Sequence, residues 1–513
     1  MSKRRLTISA VLIVKDEEEV LAECLDSVRW ADEIVVYDTG STDATREIAR
    51  RYTDKVIDGY WDDDFSAARN RALEHATGDW VLSIDADEVF ESQGSTLRKR
   101  LARAQVSTYG VRIVNTGYSS VDATVEFTAK RVFRREGHHW VGQLHEQIAA
   151  VDGQTAAGGV LTGIRLRHSG YADAERLSGE KSVRNISLAR EQLEAARTAG
   201  DQRDVGIALV HLARSLLMDP QAHDEVFDAA EQAWERHDLF GDQIAQQLCL
   251  SLYAINLERG DTEQALLWVE RWRTVQPDNP QVDIAEAQVH ERSGNFEAGL
   301  AALARVPTVA LDGSYGEIRR SAAINVEVSL LARSGQPEKA EAVVREALRT
   351  GDGDPWPLVV ATRLGEDVLR GLLGELSDEQ WRRWALLCVK DGSRNALRVL
   401  ELMDEYRPGD LTVLASAARI APAYGLEIAA EWDARLRRHG LGEMSALVRF
   451  AADKRIPPQD RALAAALAFS AYHDERALPH LEEALDRVPT QRRSELAAAL
   501  EVVAPGLVTF TSD

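Results

Sequence analysis

Two aspartates, Asp85 and Asp87, are the residues of this sequence whose type and spacing most clearly suggest chemistry. They follow an apolar run, residues 80–84, in the order DADE. On extended backbone, residues two apart share a face, and carboxylate oxygens are the ligands that Mg²⁺ and Mn²⁺ prefer. Such ions usually bind together with a phosphorylated ligand. The plainer interpretation is a strand followed by an acidic turn, so the neighbouring elements must decide between the two.

Two upstream segments repeat the pattern of an apolar run that leads into an acidic residue. Residues 6–14 lead to Asp16, and residues 33–37 lead to Asp38. Each run predicts a buried parallel strand, and helical patterns follow near residues 20–28, 44–52 and 66–76. The alternation predicts an α/β domain with a largely parallel sheet. The aspartates would then share the carboxyl edge of the sheet, where open α/β sheets bind ligands.

Three segments resemble the nucleotide-binding half of family-2 glycosyltransferases, which have the GT-A fold. They read VLIVKDEEEVLAECLDSV, ADEIVVYDTGSTDATREIA and DDDFSAARNRALEHATGDWVLSIDADE. The subgroup with DTGSTD, ARN and DADE in series, followed by a His-Glu pair and HSGY, is bacterial and often carries tetratricopeptide repeats. The resemblance covers roughly residues 6–172. Asp16 is a departure, because relatives more often have asparagine there.

The resemblance implies a site for a nucleotide-sugar donor and a divalent metal. Asp38 would accept hydrogen bonds from a uracil N–H or a ribose hydroxyl, and Arg69 would donate to the base or a phosphate. Asp85 would contact the ribose and the metal, and Asp87 would bind the metal that bridges the diphosphate. Asp16 is placed with the donor-binding residues. The expected cofactor is Mn²⁺ or Mg²⁺, and the expected donor is a UDP-sugar.

Plainer roles exist for several of these side chains. Asp38 is also typical of an Asx turn, and Arg69 of a solvated cation on a helix. We expect Asn70, beside Arg69, to be a buried structural hydrogen-bonding residue rather than a ligand.

The acceptor side of the sheet is expected beyond Glu88. Residues 109–114 and 127–133 alternate like half-buried strands. An inverting transfer needs a base to deprotonate the acceptor. By resemblance Glu146 is the candidate base and His145 the second candidate, with a loop salt bridge as the plainer role. His168 matches by order a histidine that completes the metal shell in several GT-A enzymes, although a structural role is the alternative.

Composition limits the choice of partners and compartment. The 513 residues carry a net charge of −22 with a pI near 5.1, which disfavours nucleic acid or an anionic membrane as the main partner. Three widely spaced cysteines predict free thiols in a reducing compartment. We find no transmembrane run and interpret the apolar start as the first strand rather than a signal peptide. Because nucleotide sugars are cytoplasmic, we predict a cytoplasmic protein.

The C-terminal two thirds predict a helical-repeat domain. A small residue stands five positions after each of three glycines, which are 34 and 41 residues apart: Gly260 with Ala265, Gly294 with Gly299, and Gly335 with Ala340. This period predicts tetratricopeptide-like hairpins with glycine at the interhelix turn and no strands after residue 202. A compact helical domain is the alternative. The predicted boundaries are 1–178 for the GT-A domain, 179–201 for a helical linker and 202–513 for the repeats.

The sequence therefore predicts a metal-dependent inverting glycosyltransferase. Its repeats would bind an acceptor peptide, protein or glycan, or another partner. The alternative is an interaction or scaffold protein whose glycosyltransferase-like domain is inactive. A nucleotidyltransferase would need a glycine-rich basic loop after the first strand, whereas residues 15–19 are KDEEE.

Overall fold

The computed structural model describes residues 5–115, 126–144, 146–151, 158–168, 174–217, 219, 221–311 and 317–507. By internal contacts the chain divides into two compact units. The first consists of Met1–Tyr118 and Asp122–Arg320, and the second of Ser119–Val121 and Ser321–Asp513. The predicted domain boundaries at residues 178 and 201 remain predictions.

The first unit contains a large sheet whose central strands are buried on both faces. The strands of the sheet are β1 Ile8–Val14, β2 Glu33–Asp38, β3 Val56–Asp58, β4 Trp80–Ser83, β5 Glu88–Phe90, β6 Thr108–Asn115, β7 Glu126–Arg134 and β10 Gly158–His168. Two further strands, β8 His138–Val141 and β9 Gln147–Ala150, form a separate hairpin. The sheet order is β3-β2-β1-β4-β7-β6-β10-β5. Four of its seven pairings are parallel. The mostly parallel α/β domain predicted from the sequence is therefore confirmed.

Helices cover both faces of this sheet because its strands are apolar on both faces. They are α1 Leu21–Ser27, α2 Thr45–Arg50, α3 Phe65–Glu74 and α4 Gly94–Leu101. One core contains Leu12 of β1 and Leu25 of α1, and the other contains Val11 of β1 and Ala72 of α3. Helix α3 begins at a side-chain cap, because the carboxylate of Asp64 accepts a hydrogen bond from the Ala67 amide.

The rest of the first unit is helical, with one short strand pair at its end. The helices are α5 Ala174–Ala199, α6 Gln202–Leu216, α7 His223–Trp234, α8 Asp242–Arg259, α9 Thr262–Val275, α10 Pro280–Ser293 and α11 Phe296–Arg305. Strands β11 Val309–Leu311 and β12 Glu317–Arg319 pair antiparallel. The prediction of no strands after residue 202 is therefore wrong. The pair lies within the longer, 41-residue spacing between Gly294 and Gly335.

The second unit is helical throughout its described residues. Its helices are α12 Ile324–Arg333, α13 Pro337–Thr350, α14 Pro357–Arg363, α15 Glu366–Leu373, α16 Asp378–Asp391, α17 Arg394–Tyr406, α18 Leu411–Ile420, α19 Leu426–Arg438, α20 Ala446–Ala452, α21 Pro458–Tyr472, α22 Leu478–Arg487 and α23 Arg493–Val503. Among the described helices of the whole chain, none is long and apolar enough to cross a membrane.

The glycine repeat has the structural meaning that its spacing predicted. Gly260, Gly294 and Gly335 have φ angles of 79°, 82° and 79°, and each lies in a turn between two helices. This left-handed conformation strains other L-residues, so glycine is required there. Ala265 and Ala340 are fully buried where their helices pack.

Candidate active site

A tight turn replaces the extended backbone that the DADE motif suggested. The Glu88 amide donates to the Asp85 carbonyl over 3.0 Å, and the Asp85 amide donates to the Glu88 carboxylate over 3.0 Å. The expectation that Asp85 and Asp87 share one face of a strand is therefore wrong. The turn sends the Asp85 carboxylate towards two arginines and the Asp87 carboxylate towards a histidine.

The Asp85 carboxylate is held between Arg69 and Arg131. Arg69 Nη2 donates to Asp85 Oδ1 over 2.7 Å, and Arg131 Nη2 donates to Asp85 Oδ2 over 2.5 Å. Burial alone would raise the pKa of Asp85, but the charges and hydrogen bonds of the two guanidinium groups reverse this effect and lower the pKa. Asp85 is therefore ionised and locked in place.

Arg69 connects three parts of the site and is not a solvated helix cation. It lies on α3 with only 7% of its surface exposed. Besides Asp85, it donates from Nε to Glu146 Oε1 over 2.6 Å and from Nη1 to Ser83 Oγ over 3.1 Å. Its guanidinium also lies 5.1 Å from the centre of the Trp140 ring, within the range of a cation–π contact.

Sequence reasoning missed Arg131 and the role of Glu88. Arg131 Nη2 also donates to Glu88 Oε1 over 2.6 Å. Burial raises the pKa of Glu88, and the charge of Arg131 only partly opposes this effect. Arg131 Nε is buried without a hydrogen-bond partner among the described residues. The available signal was a charged residue inside the apolar segment that forms β7, but strand order was needed to place it beside Asp85.

Asp87 and His168 meet on the other side of the turn. His168 Nε2 lies 3.0 Å from Asp87 Oδ2, and both side chains are about four-fifths buried. Strand β10 brings them together, because His168 pairs with Glu88 in the antiparallel register with β5. Burial lowers the pKa of His168, but the hydrogen bond and charge of Asp87 outweigh it and raise the pKa.

Two of the three predicted metal ligands are thus adjacent, and the third is directed elsewhere. The part of the chain that the structure describes holds no preformed group of three His, Cys, Asp or Glu side chains around one point. Asp87 and His168, a carboxylate and an imidazole that contact each other, could hold a divalent metal ion. Asp85 could join them only if one of its arginine contacts opens.

Asp38 and Asp16 shape the neighbouring loop at the same edge of the sheet. The buried Asp38 carboxylate accepts hydrogen bonds from the amides of Gly40 and Ser41, which is the Asx-turn arrangement. Asp16 is exposed, and its carboxylate accepts a 2.7 Å hydrogen bond from the Thr42 amide. Their roles in donor binding remain predictions.

Of the two candidate bases, Glu146 and His145, the structure describes only Glu146. Glu146 is described and paired with Arg69, whereas His145 lies outside the described residues. Asn70 has the structural role predicted for it, because its side-chain amide bonds both the carbonyl and the amide of Trp140 over 2.8 Å.

Comparisons with known proteins find similarity to glycosyltransferases in the first part of the chain. The family described as Glycosyl transferase family 2 matches residues 9–160. A TPR repeat-containing protein of Synechococcus elongatus is 45% identical over 106 residues, which cover 20% of this chain and 26% of that protein. The SPbeta prophage-derived glycosyltransferase SunS of Bacillus subtilis is 30% identical over 192 residues, which cover 36% of this chain and 45% of SunS. This chain thus spans less than half the length of either relative.

Among solved structures, Staphylococcus aureus TarS 1–349 in complex with UDP-GlcNAc is 14% identical. The match covers 53% of this chain and 91% of that chain at a TM-score of 0.28.

Proposed function

We propose that this chain, whose residues 9–160 match glycosyl transferase family 2, transfers a sugar from a nucleotide-diphosphate donor to an acceptor with inversion. The observation that carries the proposal is the meeting of Asp87 with His168 beside the arginine-held Asp85. Carboxylate and imidazole ligands next to buried guanidinium groups suit a metal ion and a diphosphate together.

In this proposal Asp87 and His168 hold Mg²⁺ or Mn²⁺, with Asp85 as a further ligand. Bound there, the ion would neutralise the diphosphate leaving group. Arg69 and Arg131 orient Asp85 and supply positive charge close to the diphosphate. Asp38 and Asp16 hold the nucleoside, for which uridine is the favoured base by resemblance.

Glu146 is the proposed base, with His145 as the second candidate. A base takes the proton of the attacking acceptor hydroxyl as the new glycosidic bond forms. Arg69 Nε binds one oxygen of Glu146, which fixes the orientation of the carboxylate. The helical repeats are the proposed platform for an acceptor peptide, protein or glycan, and the cytoplasm is the proposed location.

One observation favours the alternative, a scaffold protein with an inactive domain. Both oxygens of Asp85 are occupied by arginines, so the predicted three-ligand metal site is not assembled. The two proposals differ in whether the protein turns over any donor.

The deciding experiment measures hydrolysis of a panel of UDP- and GDP-sugars by the full chain, with Mn²⁺ and with EDTA. We expect Asp87→Asn to abolish metal-dependent turnover while the protein stays folded, as judged by a cooperative melting transition. Asp26→Asn is the matched control, because Asp26 is exposed on α1 and pairs with Arg29. Full activity in EDTA would contradict the metal assignment, and no turnover of any donor would favour the scaffold.

A further inference from the structure

The helix carrying Arg69 and the loop carrying Glu146 both rest on the helices that follow the sheet. Leu144, two residues before Glu146, is only 3% exposed and belongs to the same apolar core as Ala189 and Leu193 of α5. Phe65, the first residue of α3, packs against that core as well. The helical part of the first unit therefore supports both halves of the Arg69–Glu146 ion pair.

The two supported segments are also bonded to each other. The Phe65 amide donates to the Gln143 carbonyl over 3.1 Å, and Gln143 Nε2 donates to the Asp63 carbonyl over 2.9 Å. Arg69 follows Phe65 by about one helical turn. These contacts tie the segment before Arg69 to the segment before Glu146, whose side chains meet over 2.6 Å.

Arg184 of α5 adds a second contact between the helices and this region. Its guanidinium lies 5.3 Å from the centre of the Phe65 ring and 5.9 Å from that of Trp61. Trp61 and Phe65 themselves pack edge to face. Helix α5 thus covers the loop that leads into α3 with a planar cation, which stacks well on aromatic rings.

We propose that Phe65, Leu144 and Arg184 form a brace that positions the Arg69–Glu146 pair, with α5 as its supporting element. Helix α5 is then part of the donor site's scaffold and not only a platform for a partner. A partner or acceptor that shifts α5 would alter the geometry of the pair. The effect on turnover rests on the proposed function, whereas the effect on local order does not.

The first test uses hydrogen–deuterium exchange on the full chain. Arg184→Ala should speed exchange in peptides covering residues 61–70 and 140–151, because both segments lose support. Arg190→Ala is the matched control, since Arg190 lies on the same helix but is exposed and pairs with Glu225. Unchanged exchange in Arg184→Ala, or equal changes in both variants, would overturn the brace.

The second test compares two leucines of the same core. Leu144→Ala should lower donor hydrolysis by about 10- to 100-fold, because a misplacement of about 1 Å in a site can cost about 100-fold. Leu252→Ala, a fully buried change on α8, should give a comparable shift in melting temperature with nearly normal turnover, and Leu144→Met should restore activity. Equal losses of turnover in both alanine variants would overturn the proposal. A wild type that hydrolyses no donor would refute the proposed function while the exchange experiment still tests the brace.

Discussion

Two networks of arginines and carboxylates among the described residues differ in how completely their hydrogen-bond donors are satisfied. At the edge of the sheet, Arg69 and Arg131 bind Asp85, Glu88 and Glu146, and Arg131 Nε has no partner among the described residues. The network in the second unit is closed within its helices and turns. Its members are Asp433, Arg437, Ser445, Asp474 and Arg476.

This second network has an acceptor for each of its guanidinium groups. Arg437 donates to Asp433 and Asp474, and Arg476 donates to Asp474 and to the carbonyls of residues 442 and 443. Because a satisfied network stabilises packing, whereas an unsatisfied buried donor costs free energy, the two have different uses. We therefore assign a structural role to the network among the helices and keep donor binding as the proposed role of the network at the sheet edge.

The largest expected effect is a fall in the rate of donor hydrolysis when the candidate base at the sheet edge, Glu146, is replaced. Glu146→Gln keeps an acceptor for Arg69 Nε but removes the base, and a general base contributes roughly 10²–10⁴-fold. Steady-state hydrolysis should fall by that factor, while calorimetry shows nearly normal donor affinity. Wild-type turnover in this variant would move the base elsewhere, with His145 the first residue to examine.

In the network of the second unit, we expect a substitution to lower stability and to leave donor binding unchanged. Arg437→Gln leaves the buried Asp433 without its arginine partner and removes one of the two arginines that bind Asp474, which should cost about 3–5 kcal/mol of stability. Urea denaturation would measure the loss, and UDP affinity should stay unchanged. A loss of UDP affinity without a loss of stability would break the distinction between the two networks.

A buried histidine, His211, which hydrogen-bonds the side chain of Gln192, offers a test by pH. Burial, together with the charge of Arg214, lowers the pKa of His211 to about 4. The unfolded state, with a pKa near 6.5, binds the proton first as the pH falls. Stability should therefore drop between pH 6.5 and 4, by about 3 kcal/mol in total. Denaturation of wild type and His211→Gln across this range would isolate the effect, and identical pH slopes would contradict it.

The smallest expected effect concerns Asp38. Asp38→Ala should weaken UDP binding by about tenfold, since losing a buried hydrogen-bonding partner typically costs about 1–3 kcal/mol. Asp38→Asn keeps an acceptor for the Gly40 and Ser41 amides, so it separates the turn from the carboxylate. Calorimetry would measure the UDP affinity of both variants. Unchanged affinity in both would show that Asp38 is not part of the donor site.

Local signals predicted most of the fold. The apolar run at residues 6–14 forms β1, and the glycines at residues 260, 294 and 335 lie at interhelix turns. Both signals concern neighbouring residues, so periodicity and backbone preference are enough to detect them. Strands β11 and β12 are short and lie between helical hairpins, and periodicity over a few residues did not reveal them.

The sequence by itself determined that carboxylates follow the strands of an α/β domain and that helical hairpins come after it. Only the tertiary structure decided which charges meet. Arg69 reaches Glu146 across 77 positions of the chain, and Arg131 reaches Asp85 across 46. These pairings depend on β7 lying antiparallel to β4 and on Leu144 being buried in the helical core. Strand order and packing arise from long-range burial, so no local spacing encodes them.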